Sequence, residues 1–293
     1  MFLKTRKTVF VLLAGIATAF GGLPSAQAAY VSTWSYSGLA KFSGLNTFGA
    51  GGGTQIETDT QVSWGFAGAD VFDPDSGDAS TNRSGITLAT TGPGANDPVA
   101  LPQVGLVDTD APPPLGLGIG PYITHHNKPI SGTFATLLTS QITSTLTLTP
   151  FVPPGAPAPA LVFAFDIFFA ETPNSAPCTA PSPTPCNDIF ALNTVDVFNV
   201  AFMYDGFQYF LSTFPIIGGG LSPLALLSNA ECAAAGANNG CVGFTTPEDA
   251  DTTVQFGFVI TSQRIFLPEP GTLAMLGLAL LTLVAMRRRP ARI

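Results

Sequence analysis

Charged residues are scarce in this 293-residue sequence, at 10%, and basic residues are scarcer still. Between Ala29 and Leu267 there are 18 acidic and four basic residues, so this stretch has a net charge of −14. The four basic residues are Lys41, Arg83, Lys128 and Arg264. Such a surface repels nucleic acids and anionic lipids. The composition therefore excludes a nucleic-acid partner. An acidic surface of this kind is suited to binding divalent cations, or simply keeps the protein soluble outside the cell.

Residue types that perform catalysis are also in short supply. The sequence has only two histidines, His125 and His126, and it lacks the Gly-x-Ser-x-Gly pattern of a hydrolase nucleophile elbow. In contrast, it has 23 phenylalanines, 31 glycines and 26 prolines. This much apolar mass must be buried, which argues against disorder, and abundant Gly and Pro disfavour helices.

Hydrophobic residues alternate with polar ones along several segments. Strict alternation is typical of half-buried antiparallel strands, and strands with one apolar face must stack on a second sheet. The sequence therefore predicts an all-β body, an antiparallel β-sandwich with a jelly-roll-like arrangement. The apolar stripes are Val62/Trp64/Phe66, Ile142/Leu146/Leu148, Phe163/Phe165/Ile167/Phe169, Phe198/Val200/Phe202/Tyr204 and Val254/Phe256/Phe258/Ile260.

Two local signals refine this prediction. Asp205-Gly206, between Tyr204 and Phe207, predicts a two-residue hairpin turn. The segment from Ser222 to Ala235 is rich in Leu and Ala and is the one helix that we expect within the body.

The N-terminus has the pattern of a secretory signal peptide. Lys4, Arg6 and Lys7 are followed by an apolar stretch from Thr8 to Phe20 and by Ala26-Gln27-Ala28, a small-x-small cleavage site. We therefore expect residues 1–28 to be a signal helix that is removed, and residues 29–267 to form one exported body.

The four cysteines fall into two local pairs. An even number of cysteines in an exported chain favours disulfides, and three connectivities are possible. We expect Cys178–Cys186 and Cys232–Cys241, because short loops close at the lowest entropy cost. A zinc site would need closer cysteine spacing and neighbouring histidines.

The C-terminus combines a rigid step, an apolar run and a cationic end. Pro268-Glu269-Pro270 precedes 16 uncharged residues, Gly271 to Met286, and then Arg287, Arg288 and Arg289. As a helix the run would be about 24 Å long, slightly short for a hydrocarbon core of about 30 Å. Arginines stay on the cytoplasmic side, so the body would lie outside the inner membrane. A plain tail anchor is one interpretation.

These C-terminal residues resemble the tripartite signal of bacterial PEP-CTERM proteins. The resemblance rests on Pro268-Glu269-Pro270-Gly271-Thr272-Leu273, the Leu-rich run and Arg287 to Arg289, within residues 268–293. It implies that an exosortase-type membrane enzyme recognises and removes the tail, so the inner membrane would be a transient partner.

The body resembles the THxN subgroup of PEP-CTERM proteins. The subgroup is named for its Thr-His-x-Asn motif and has no assigned enzymatic activity, so the resemblance implies a class and no mechanism. It extends over roughly Trp34 to Thr261. The residues concerned are Thr124-His125-His126-Asn127, Glu171-Thr172-Pro173-Asn174, Asp205-Gly206, the Cys232 to Cys241 loop and Phe244-Thr245-Thr246-Pro247-Glu248.

The two histidines are adjacent, so on a strand they would point to opposite faces and could not bind one metal ion together. We expect a structural role: a loop in which one imidazole bonds the backbone and the other is solvated. Asn127 would take left-handed backbone geometry, and Pro129 would mark the start of the next strand. A metal site formed by His125, Glu171 and another carboxylate is an alternative.

Two further groups suggest ligands. Asp70, Asp73, Asp75 and Asp78 place oxygen ligands in a glycine-containing loop, a partial match to a calcium site; a solvated acidic turn is the other interpretation. Trp34, Tyr36, Trp64 and Tyr209 could form an aromatic platform for sugar, although in an all-β protein aromatic residues are more often core.

The sequence therefore predicts a non-enzymatic exported protein of the surface or extracellular matrix of a Gram-negative-type bacterium, without a firmly indicated cofactor. The association of PEP-CTERM proteins with exopolysaccharide and biofilm implies the matrix role. Two alternatives remain open: a calcium-assisted carbohydrate-binding module, and a hydrolase that uses His125 or His126 with Glu171.

Overall fold

The structure, a computed structural model, describes residues 29–68, 83–95, 97, 99–112, 115–193, 198–216 and 225–265. In this part of the chain the strands are β1 (Thr33–Phe42), β2 (Thr47–Phe48), β3 (Thr54–Glu57), β4 (Gln61–Phe66), β5 (Ser84–Ala89), β6 (Gln103–Asp108), β7 (Gly118–His126), β8 (Leu137–Val152), β9 (Leu161–Ala170), β10 (Asp188–Leu192), β11 (Val200–Tyr204), β12 (Phe207–Ile216), β13 (Ala225–Leu226), β14 (Val242–Thr246) and β15 (Asp251–Thr261). One helix, α1 (Asn229–Ala235), lies between β13 and β14.

The strands form two antiparallel sheets. The first has the order β13-β14-β10-β9-β8-β1-β6, with β2 paired to β8, and the second has the order β11-β12-β15-β7-β5-β4-β3. Buried residues from both sheets form shared core clusters, so the sheets are packed face to face. The predicted β-sandwich is confirmed in outline, and its jelly-roll-like character stays a prediction.

Alternation along the strands determines which residues enter the core. In β9, Phe163, Ile167 and Phe169 are buried, whereas Val162 and Ala164 are exposed. The same pattern holds in the middle of β8, where Ile142, Leu146 and Leu148 are buried and the threonines between them are only partly buried. Isolated strands of this kind would not be stable. They are stabilised here because one face of each sheet is buried against the other.

Two clusters make up the interior between the sheets. One contains Trp64, Ile123, Phe169 and Phe190, and the other contains Trp34 with the residues that surround it. A third cluster lies on the outer side of β10, beneath α1. The four aromatic residues proposed as a sugar platform, Trp34, Tyr36, Trp64 and Tyr209, are all buried, so the core interpretation is confirmed.

The Asp205-Gly206 hairpin is confirmed. Tyr204 pairs with Phe207 across the turn that joins β11 to β12. Asp205 has φ 47° and Gly206 has φ 81°, both in the left-handed region that a primed two-residue turn requires. Glycine adopts this conformation at no steric cost, and aspartate tolerates it better than most residues.

The predicted helix from Ser222 to Ala235 is wrong for the described residues before Asn229. Ala225 and Leu226 form β13, which pairs with β14, and the helix begins only at Asn229. Its start is fixed by a capping box: the Ser228 hydroxyl accepts from the Glu231 amide, and the Glu231 carboxylate accepts from the Ser228 amide. Pairing to a sheet edge therefore overrode helix propensity before Ser228.

Both predicted disulfides are confirmed. Cys178 is bonded to Cys186, and Cys232 is bonded to Cys241, each across a short loop. The second disulfide fastens α1 to the chain just before β14 and belongs to the outer cluster beneath the helix. Local closure thus holds together two segments with little secondary structure of their own.

Several sequence predictions lie outside the described residues. They concern the signal helix within residues 1–28, the acidic loop with Asp70, Asp73, Asp75 and Asp78, and the tail with its expected transmembrane helix at 271–286. Within the part of the chain that the structure describes, no helix has the length and apolar character needed to cross a membrane.

Asp97 fastens the segment after β5 through its carboxylate. Oδ2 accepts from the Thr90 amide at 2.7 Å and from the Thr90 hydroxyl at 3.0 Å, and Oδ1 accepts from the Thr91 hydroxyl at 2.5 Å. Burial raises the pKa of Asp97, but these hydrogen bonds outweigh it and hold the pKa below its ordinary value. The ionised carboxylate is therefore the form that stabilises the fold.

We expect Asp97→Asn to lower the free energy of unfolding at pH 7 by about 1–2 kcal/mol, because hydrogen bonds to a charged acceptor are lost. The pKa of Asp97 is lower in the folded protein than in the unfolded chain, where it is near 3.8. The ionised carboxylate therefore stabilises the fold fully above pH 3.8, and this contribution is lost as the pH falls through the folded-state pKa. Urea titrations between pH 7 and pH 3 should show the difference shrinking. Asp59→Asn, at an exposed position, is the control, with an expected effect within about 0.5 kcal/mol.

Candidate functional site

The Thr-His-His-Asn segment forms the end of a central strand. Thr124, His125 and His126 belong to β7, which pairs with β15 on one side and β5 on the other. The predicted loop with one solvated imidazole is therefore wrong: the histidines belong to a strand that is paired on both edges, and both side chains are buried. Asn127 is not among the described residues with positive φ, and after Pro129 the next strand, β8, begins only at Leu137.

The two imidazoles point to opposite faces, as strand geometry predicts. His126 Nδ1 lies 3.0 Å from Asp251 Oδ2, and its Nε2 lies 3.1 Å from the Thr87 hydroxyl. His125 points between the sheets instead. The two side chains therefore cannot act on one ion or one substrate.

His125 is enclosed by aromatic rings. Its imidazole is stacked on Trp64 with ring centroids 6.2 Å apart, and it meets Phe169 edge to face at 4.8 Å. Burial lowers the pKa of His125 to about 3, so the ring is neutral near pH 7. Neither ring nitrogen has a hydrogen-bond partner, and Nε2 lies 3.9 Å from Asp188 Oδ2.

Three carboxylates meet beside His125. Glu171 directly follows β9, Asp188 is the first residue of β10, and Glu248 lies between β14 and β15. Ala170 pairs with Ile189 and Asp188 pairs with Thr246, so the antiparallel register brings the ends of three strands together. Each of the three residues contributes a carboxylate oxygen, and these oxygens lie within 4.8 Å of one another.

We call Glu171, Asp188 and Glu248 the carboxylate cluster. By strand alternation Glu171 shares the inner face with Phe169, and Asp188 shares it with Phe190. The cluster therefore occupies one end of the space between the two sheets. His125 and Asn127 approach it from the second sheet, at the end of β7.

Hydrogen bonds position part of the cluster. The Trp64 indole Nε1 donates to Glu171 Oε2 at 2.9 Å. The Thr172 amide donates to Asp188 Oδ1 at 2.8 Å, and the Thr172 hydroxyl also donates to that oxygen at 3.3 Å. Asn127 Nδ2 donates to the backbone carbonyls of Thr246 and Pro247, which fixes the chain just before Glu248.

Burial raises all three carboxyl pKa values, and the charge of a neighbouring carboxylate raises each of them further. For Glu171 burial is the first cause and the Asp188 charge the second, and they hold its pKa well above the ordinary value. Burial also raises the pKa of Asp188 and that of Glu248. The other causes are hydrogen bonds and neighbouring carboxylates, and none is a basic side chain.

Unsatisfied polar atoms are concentrated at this end of the sandwich. Among the described residues, six buried side-chain atoms at this end lack a hydrogen-bond partner. They are His125 Nδ1 and Nε2, Asn127 Oδ1, Glu171 Oε1, Asp188 Oδ2 and Thr246 Oγ1. Buried polar groups nearly always find partners, so these atoms require partners such as bound water or an ion.

The site combines residues that the sequence indicated with one that it did not. His125, Asn127, Glu171 and Glu248 come from three of the five segments that carry the resemblance to the THxN subgroup. Asp188 was missed; its only signal is a carboxylate at the start of an otherwise apolar strand. The metal alternative with His125, Glu171 and another carboxylate thus has the required residues close together.

Comparison with protein-family models gives a match in the tail. Residues 267–289 match the PEP-CTERM protein-sorting motif, and this stretch contains Pro268, Glu269, Pro270 and Arg287 to Arg289. No curated protein matches the chain. The match does not extend into the body, so it does not support assignment to the THxN subgroup. The chain carries a PEP-CTERM sorting motif, which indicates an exported protein that is anchored at its C-terminus and processed by an exosortase.

Proposed function

We propose that this protein is a non-enzymatic component of the cell surface or extracellular matrix, associated with exopolysaccharide and released from its tail by an exosortase. The observation that carries the proposal is the PEP-CTERM motif at residues 267–289. It implies a route out of the cell and a processing step. The β-sandwich upstream of the motif is then the cargo that the route delivers.

The burial of the candidate site supports a non-enzymatic role. A catalytic group must touch its substrate, and the side chains of His125 and Asp188 have no exposed surface. His126 lies on the opposite face of β7 and cannot assist Glu171. The hydrolase alternative would require the two sheets to separate at this end.

The outer face of the first sheet supports contact with a hydrated polymer. Ser35 pairs with Thr149 and Ser37 pairs with Thr147, so hydroxyl side chains from β1 and β8 lie side by side. Thr143 and Thr145 continue the row along β8. Rows of hydroxyl groups can donate to and accept from the hydroxyl groups of a polysaccharide.

The processing step is tested by intact-mass analysis of the exported protein from a host that has an exosortase. We expect the mature protein to lack the residues after about Pro270 and to be recovered in the matrix fraction. Replacement of Pro268, Glu269 and Pro270 by Ala should keep the full-length chain in the membrane fraction, because the recognised motif is gone. Gln263→Ala, at an exposed position before the motif, is the matched control and should be processed normally.

A mature protein that keeps Arg289 would reject processing and leave a plain anchor. The calcium-assisted carbohydrate-binding alternative depends on Asp70, Asp73, Asp75 and Asp78, outside the described residues. Calcium-dependent signals on a glycan array that disappear with these aspartates would favour it over the matrix role.

A further inference from the structure

The carboxylate cluster and His125 form the strongest unexplained feature of the interior. We propose that Glu171, Asp188 and Glu248 bind one divalent cation between the two sheets, with His125 at its side. The proposal concerns the folded body and does not depend on the fate of the tail.

The distances suit a single ion. Ligands of a calcium ion lie about 2.3–2.6 Å from it, so two of them can be up to about 5 Å apart. One oxygen from each of the three carboxylates fits that limit, since they lie within 4.8 Å of one another. The separation of 3.9 Å between His125 Nε2 and Asp188 Oδ2 is too long for a hydrogen bond. Two ligands of a tetrahedral zinc ion are about 3.4 Å apart, so these side chains would move together by about 0.5 Å around such an ion.

His125 supplies an observation that is independent of the acidic residues. Its side chain is completely buried, and both ring nitrogens lack a partner. An imidazole placed between Trp64 and Phe169 could have been replaced by another aromatic ring if packing were its only role. A neutral imidazole whose Nε2 faces Asp188 has the form that binds metal ions.

Further oxygen atoms are available at the same place. Asn127 Oδ1 and Thr246 Oγ1 are both buried and without a hydrogen-bond partner. Thr246 pairs directly with Asp188, and the Asn127 amide is fastened to the Thr246 carbonyl. Together with the carboxylates they form an oxygen-rich set, which suits calcium, whereas His125 would favour a transition metal.

The described basic side chains are engaged elsewhere. Lys128 Nζ lies 2.8 Å from Asp249 Oδ1, and Arg83 donates to Ser63 and to the backbone carbonyls of Thr54 and Gly68. Adjacent buried carboxylates must be neutralised by a cation or by protons. An experiment has to decide whether a cation or protons neutralise the three carboxylates.

The position of the cluster gives the ion a mechanical role. Its ligands come from the ends of β9, β10 and β14 in the first sheet, and His125 comes from β7 in the second. A bound cation would therefore fasten the two sheets to each other at one end of the sandwich. Binding to the folded state alone raises the melting temperature in proportion to the logarithm of ion concentration.

The test uses the exported protein, stripped with a chelator and titrated separately with Ca²⁺, Mn²⁺ and Zn²⁺. We expect at least one ion to raise the melting temperature by about 5 °C or more at saturation. Glu171→Gln and Asp188→Asn should each lower the affinity for that ion at least about 10-fold, measured by calorimetry, because one charged ligand is lost. Each variant should also lose most of the increase in melting temperature. Asp166→Asn, an exposed carboxylate on β9, is the matched control and should behave like the wild type.

A second variant separates this site from the acidic loop. If the ion-dependent shift persists in Glu171→Gln and Asp188→Asn but disappears in Asp73→Asn/Asp75→Asn, the proposal is overturned. It is also overturned if no ion stabilises the wild type and elemental analysis of the unstripped protein finds none. Glu248→Gln, at the less buried end of the cluster, provides the affinity comparison if the other variants do not fold.

His125→Phe assigns the class of ion. A loss of Mn²⁺ or Zn²⁺ affinity of at least about 10-fold in this variant would support the site with His125 as a ligand. An unchanged Ca²⁺-dependent shift would support the site with oxygen ligands alone. If a stabilising ion binds with wild-type affinity to the variants of all three carboxylates, the cluster does not bind it.

Discussion

Trp34→Ala is expected to lower the free energy of unfolding by about 3–5 kcal/mol, the cost of truncating a large aromatic side chain in a packed core. Trp34 is completely buried, and its ring meets Phe202, Tyr204 and Tyr209 edge to face at 5.2–5.8 Å. Its indole nitrogen also donates to the Thr109 hydroxyl at 3.1 Å. Urea-induced unfolding measures the change in the free energy of unfolding. It is followed by circular dichroism, because a tryptophan signal would itself change in this variant.

Trp34 joins the two sheets, since it comes from β1 and its three aromatic neighbours come from β11 and β12. The control is Val162→Ala on β9, where the side chain is 65% exposed and the expected change is within about 0.5 kcal/mol. A Trp34→Ala protein that lost less than about 1 kcal/mol would contradict the packing of the sheets described above.

Removal of the Cys232–Cys241 disulfide by two Ala substitutions is expected to cost about 3–4 kcal/mol. Closing so short a loop accounts for about 2–3 kcal/mol in the chain-entropy model. The remainder comes from packing, because Cys232, on the buried side of α1, and Cys241 both pack in the cluster with Leu227 and Ala235. The midpoint of urea unfolding gives the comparison with the wild type.

The other disulfide is a matched control with nearly the same loop. Cys178–Cys186 spans eight residues and Cys232–Cys241 spans nine, so the entropy terms are almost equal. Cys178 is only partly buried, and we therefore expect the Cys178/Cys186 double Ala variant to lose about 2–3 kcal/mol. Equal losses in the two variants would show that packing around Cys232 adds nothing.

Sequence was a good guide wherever the structure depends on alternation. The stripe in β9 could be predicted because one face of each strand must be buried, and this requirement leaves a period of two. The Asp205-Gly206 turn and both disulfides depend on residues that are close together in the chain. Such local constraints do not need knowledge of the rest of the fold.

Sequence was a poor guide where long-range pairing decides the outcome. Thr, Asn and Pro around His125 are typical of turns, but β5 and β15 pair with both edges of β7 and impose a strand. These partners lie some 40 and 130 residues away in the chain, judged from the Ile86 and Thr252 pairings with His125. No local pattern reveals them.

The candidate site shows the same division. Glu171 could be chosen beforehand as a partner for His125, but Asp188 enters through its pairing with Thr246 and through the alignment of β9 with β10. Its carboxylate, in a strand that is otherwise apolar, is the kind of local inconsistency that often marks a functional position.

The chain is fastened immediately before the sorting motif. Asn199 Nδ2 donates to the Ile265 carbonyl at 2.8 Å, and the Ile265 amide donates back to Asn199 Oδ1 at 2.6 Å. From Ile265 to Gly271, where the apolar run begins, the chain can extend at most about 22 Å, so an anchored body would have a short tether. An exosortase that cuts near Pro270 would therefore work close to the folded body. Since β15 extends 11 residues, about 34 Å, from the Glu248 end to this one, the proposed cation would lie at the far end of the strand.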